Sequence, residues 1–175
     1  MPREIKPEVK STLLMKLTIK GIEKTALCPV AYEKVVRRYA RIKKPLTISF
    51  SPYKKPYYAD HLLYRGKHTI RIYWKRCVVS KYEESFDFVY KTVSAKFRIM
   101  APSQQKFILL PTTLHELRHA QQAEQGGADK NSYVSINGAP PHINGIYSEA
   151  ERDAQIYEFK HFAKALALYD ENVVE

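Results

Sequence analysis

The sequence predicts an α+β domain, and three observations carry that prediction. Apolar residues recur at helical spacing in Ala31, Val35, Val36, Tyr39 and Ala40; they alternate with polar ones through Leu46, Ile48 and Phe50; and two further helical stretches occupy the last third of the chain. At 175 residues, 45% hydrophobic and 27% charged, the chain suits one compact domain over residues 1–175 with a core of its own, not a disordered or membrane-spanning polypeptide.

The opening residues, with Pro2 and Pro7 among alternating charges, read as a loosely attached start. A first amphipathic helix runs from Pro29, with Glu33, Lys34, Arg37 and Arg38 between its apolar positions, and ends before Pro45. The alternation in residues 46–50 predicts a half-buried strand, broken by Ser51-Pro52-Tyr53. Residues 57–64 form a second expected strand, turning at Arg65-Gly66-Lys67 into a third over 68–74, where Ile70 and Ile72 face one way. The sheet expected from these is small, twisted and mostly antiparallel. Two β-rich runs, 86–90 and 93–99, fall within an expected insertion at about residues 75–105.

A second helix is expected from residue 111 or 112 to 125, because proline is tolerated in a first turn and Gly126-Gly127 supplies a stop. Residues 126–147, rich in Gly, Pro and Asn, make a loop of a length that is usually functional. The last helix opens at Ser148, whose spacing to Glu151 fits a capping box, and continues through Ile156, Phe159, Ala163 and Leu166.

Charge is unevenly spread. Residues 1–110 carry 24 Lys and Arg against 8 Asp and Glu, whereas residues 111–175 carry 5 against 10, within a net charge of +11. Clustered cations of this kind suit a nucleic-acid or acidic partner as well as a solvated face, and no DNA- or RNA-reading motif accompanies them. Cys28 and Cys77 lack ligand-like spacing and read as buried free thiols, and the apolar run near Leu13 is short and broken by Lys16. An intracellular, cytoplasmic location without a membrane partner is the expectation.

The chemistry concentrates in His115-Glu116-Leu117-Arg118-His119, an HExxH motif within the second helix. Its imidazoles stand one turn apart on one face, so both can grip one metal ion, and Glu116 projects beside them. A hydrolytic Zn2+ site takes three protein ligands and keeps one position open. Glu149, in the first turn of the last helix, is the expected third ligand, with Asp153 four residues on and on the same face. Glu151 competes for that place, although its capping-box position occupies it, and His142 is a further alternative. Glu116 then acts as general base towards the metal-activated water. Tyr147 and His142, in the loop feeding the site, are candidates for stabilising an oxyanion.

The combination of HExxH with Glu149-x-x-x-Asp153 on a second helix resembles the gluzincin branch of zinc metallopeptidases. The order helix, strands, HExxH helix, loop, carboxylate helix is similar to the minimal zincin-like core of the regulatory ImmA/IrrE-type proteins, weakly over residues 31–74 and well over 111–160. The resemblance implies His115, His119 and Glu149 as zinc ligands, Glu116 as general base, Asp153 orienting a histidine ring, and a protein or peptide as substrate. Two features depart from the pattern: Pro111 stands four residues before His115, and the stretch up to Gln105 exceeds what the minimal core needs. The competing expectation is a basic nucleic-acid-binding module that keeps any metal for structure.

Overall fold

Burial with a period of two builds the main sheet. In β2 (Leu46–Phe50) and β4 (Lys67–Ile72) the buried positions are Leu46, Ile48 and Phe50, and His68, Ile70 and Ile72, with half-buried or exposed residues between them. The computed structural model describes residues 15–53, 55, 57–82, 96–126 and 149–173, with backbone alone for 79–82, 96–99 and 149. Residues 1–14 and the run 86–90 lie outside the described residues, as do Ser148 and most of the loop before it.

The architecture is α+β, with a mixed four-stranded sheet ordered β1-β2-β4-β3. β1 (Leu17–Lys20) pairs parallel with β2, and β2 parallel with β4. Only β3 (Ala59–Tyr64), on the edge, runs antiparallel to its neighbour β4. The expected, mostly antiparallel sheet is therefore corrected. A parallel pair needs a crossover, and α1 (Pro29–Ala40) supplies it between β1 and β2. The crossover is hard to read because β1 is only four residues long with no fully buried position. The expected hairpin is present: Arg65 and Gly66 both take positive φ, 47° and 72°, as a two-residue turn with the twist of its strands requires.

Within the 75–105 stretch, α2 (Trp74–Val78) leads into an antiparallel pair, β5 (Val79–Tyr82) with β6 (Lys96–Ile99). The next helix, α3 (Lys106–Gln125), starts earlier than expected and takes Pro111 into its interior. Around that proline the hydroxyls of Thr112 and Thr113 donate to the carbonyls of Ile108 and Leu109, both at 2.7 Å. Gly126, at φ 73°, ends the helix as its sequence predicts, its N–H returning to the Gln122 carbonyl.

The last helix, α4 (Glu149–Asp170), buries a stripe different from the expected one. Ala154, Ala165 and Tyr169 are buried, whereas Ile156 and Phe159 are exposed, Phe159 at 88%. Both stripes are apolar at helical spacing, so only the position of α3 and α1 decides between them. Helices α1, α3 and α4 and one sheet face share a core that includes Tyr32, Val35, Ile48, Ile70, Leu110, Leu114 and Leu117. Burying each aliphatic side chain there contributes about 1.5–3 kcal/mol. Of the two cysteines, Cys77 is buried and Cys28 half-buried. Among the described residues no helix is long and apolar enough to cross a membrane.

A polar chain crosses this core between the sheet and α3. Glu124 accepts from the backbone N–H groups of Lys43 (3.0 Å) and Lys44 (2.7 Å), and lies 3.2 Å from His68 Nε2. The carboxylate fixes the His68 proton on Nε2, so His68 Nδ1 is the acceptor for His61 Nε2, 2.8 Å away. Burial, with His68 and His119 nearby, pushes the His61 pKa down to about 3. Burial also lowers that of His68, outweighing the Glu124 hydrogen bond that favours its charged form.

His68 is thus neutral when folded, while the unfolded chain takes up a proton near pH 6.5. Its folded pKa is depressed, so the stability it confers is complete above that pH and is lost as pH falls below it. His68→Gln is expected to lower the urea midpoint at pH 7.5. The gap to the parent should then narrow between pH 6.5 and 5 by up to about 1.4 kcal/mol per pH unit, with chelator present to remove any metal contribution. A gap that stays constant or widens refutes this account of the buried pair.

Candidate metal centre

One helical turn brings His115 and His119 together. Their rings meet edge to face with centroids 4.7 Å apart, and their Nε2 atoms are 3.1 Å apart. The first turn of α4 delivers a carboxylate to the same point: Glu151 Oε1 is 3.0 Å from His115 Nε2, and Oε2 is 3.0 Å from His119 Nε2. Ligand atoms of all three lie within 4.8 Å of one another. For arms of about 2.0–2.1 Å, a tetrahedral site has an edge of about 3.3 Å between donors, close to these separations. The donor set, two imidazoles and a carboxylate, is one that suits Zn2+.

The outer ring nitrogens show which way each lone pair points. His119 Nδ1 donates to the amide oxygen of Gln122 at 2.9 Å, and His115 Nδ1 faces Glu158 Oε2 at 3.3 Å. With the protons held outward, two Nε2 lone pairs and a carboxylate converge on one volume. A metal ion, or a proton on His115, would balance that arrangement. Burial opposes the charged form of His115, yet hydrogen bonds to Glu151 and Glu158 prevail and push its pKa up to about 10. Burial likewise opposes the Glu151 anion, and the two histidines reverse this and hold its carboxyl far below the usual range.

Glu116 stands apart from this set. It is buried, and burial raises its pKa to about 7 against the pull of His119 and His115. Among the described residues no donor pairs with its carboxylate.

The sequence assigns the third ligand to Glu149 and reserves Glu151 for capping. Among the described side chains it is Glu151 that meets both histidines, so the group that could hold a metal there is His115, His119 and Glu151; the side chain of Glu149 is outside the described residues. Asp153 orients a histidine only at one remove. Its Oδ2 accepts from Arg118 Nε (2.6 Å) and Gln122 Nε2 (2.8 Å), and Gln122 in turn holds His119. Tyr147 and His142 lie outside the described residues. No protein family, curated protein or solved structure matches the chain.

Sequence reasoning also missed Gln122 and Glu158. Their spacing carries a signal: Gln122 is three residues beyond His119, and Glu158 is seven beyond Glu151, hence on the same helix face. Each becomes meaningful only once Glu151 is placed.

Glu151→Gln is expected to weaken Zn2+ binding by at least about a hundredfold and Gln122→Ala by about 10–100-fold, while Glu149→Gln leaves it within about threefold. Competition with a chromogenic chelator measures all three. A larger loss for Glu149→Gln than for Glu151→Gln would overturn the ligand set.

Proposed function

We propose that the chain is a zinc-dependent peptide-bond hydrolase in which Glu116 is the general base. The observation that carries this reading is the convergence of His115, His119 and Glu151 beside a buried carboxyl that no described donor neutralises. Bound there, the ion would supply Lewis acidity, easing deprotonation of a water and polarising a substrate carbonyl.

The chain's own residues do the remainder. His115 and His119 present Nε2 because Glu158 and Gln122 hold their Nδ1 protons. Glu116 lies next to the first ligand on α3, near the reacting water without joining the ligand set. It takes the water's proton as oxygen attacks the carbonyl carbon, and returns it to the amine nitrogen as the C–N bond breaks. The substrate this implies is a protein or peptide.

Glu116→Gln keeps the shape of the side chain and cannot accept the proton. Fold and zinc content should survive while cleavage of a broad peptide library falls at least about a hundredfold. Equal cleavage by parent and variant, measured beside metal content on the same samples, removes Glu116 as the base and the peptidase reading with it.

A further inference from the structure

A second surface lies on the seam between α1 and α4. The helices run antiparallel: Cys28 N–H donates to Tyr169 Oη (2.6 Å) at one end, and Tyr157 Oη to the Tyr39 carbonyl (3.0 Å) at the other. Near the second end the His161 ring sits against Tyr39 and Tyr157, with centroids 5.5 and 4.4 Å away. Exposed cations flank it, Arg38 and Arg41 from α1 and its end, Lys160 and Lys164 from α4. Burial lowers the His161 pKa first, and the cations Lys160, Arg41 and Lys164 lower it further.

These cations are available. Among the described residues no carboxylate pairs with Arg38, Arg41, Lys160 or Lys164. Glu33 is taken by Arg37 at 2.7 Å. The patch continues from Arg41 into a cleft of about 430 Å³ lined by Lys43, Lys44, Gln121, Glu124 and Gln125. The one acid in that cleft, Glu124, is already held by two backbone N–H groups and His68.

We propose that the α1/α4 seam is a nucleic-acid-binding surface that grips the phosphate backbone through Arg38, Arg41, Lys160 and Lys164. Unpaired cations gathered from two packed helices onto one surface can neutralise neighbouring phosphates of a regularly charged backbone and release its counterions. Arginine, half of this set, also matches phosphate with paired donors. Contacts to phosphate carry no sequence information, so the binding is independent of sequence. The proposal does not depend on the peptidase reading, since none of these residues belongs to the metal centre.

The test is fluorescence anisotropy of the full-length chain with a labelled 25-base-pair DNA duplex and the corresponding single strand, at salt concentrations from 20 to 300 mM. Four neutralised phosphates give a log–log slope of about −3 to −4. The fourfold variant R38Q/R41Q/K160Q/K164Q should lose at least about thirtyfold in affinity at 100 mM salt. The control K20Q/K55Q/K67Q/K75Q, which removes the same charge from exposed positions elsewhere, should lose less than about threefold. If the fourfold variant fails to fold by circular dichroism, the exposed pair K160Q/K164Q is expected to lose about fivefold or more. No binding at 20 mM salt would overturn the proposal. So would equal losses in both variants, or tighter binding to polyglutamate or phosphatidylserine vesicles than to DNA.

Discussion

Two adjacent glutamines on α3 fix where α4 lies, and the metal centre depends on that position. Gln121 Nε2 donates to the carbonyls of Tyr39 and Ala40 and lies 3.2 Å from Tyr157 Oη, so it joins the end of α1 to α4. Gln122 Nε2 donates to the Ala150 carbonyl and to Asp153, while its oxygen receives the His119 proton. Both glutamines are buried. A buried amide whose partners are removed costs about 1–3 kcal/mol, which makes a shifted α4 expensive. Glu151 reaches the histidines because Gln122 binds the carbonyl one residue before it.

The convergence of acceptors at the centre opposes folding without a cation. Burying the Glu151 carboxylate and the His115 ring costs desolvation, and in the absence of metal their mutual attraction and a proton offset it. A metal ion bound there would replace that proton, so its binding would be linked both to pH and to fold stability. The polar chain from Glu124 through His68 to His61 acts in the opposite sense, since its histidines stay neutral. Sheet and helix are thus joined by groups that resist protonation, beside a site whose His115 attracts it.

The tyrosines illustrate how composition misleads without packing. Tyr32, Tyr39, Tyr73 and Tyr169 are buried, and each buried hydroxyl has a partner or remains protonated, as with Tyr32 against Thr113 at 2.9 Å. Tyr53, Tyr57, Tyr58 and Tyr64 are exposed. They belong to the edge strand and its approach, where only one side of the sheet is covered.

By itself the sequence determined what local geometry controls. It determined the helix over Pro29–Ala40, the alternation of β2, the turn at Arg65-Gly66, the stop at Gly126, and the pairing of His115 with His119, because each rests on one turn or one period of backbone. Tertiary structure decided the parallel order of β1, β2 and β4, the helical continuation through Pro111, and the buried stripe of α4. It also decided that Glu151 completes the centre among the described side chains, and that cations from the basic and acidic halves of the chain meet on one seam. Helical spacing alone does not say how far α4 is rotated against α3, and that rotation aims Glu151 at the histidines: it is a long-range constraint set by Gln122 and the packing of Ala154, Ala165 and Tyr169.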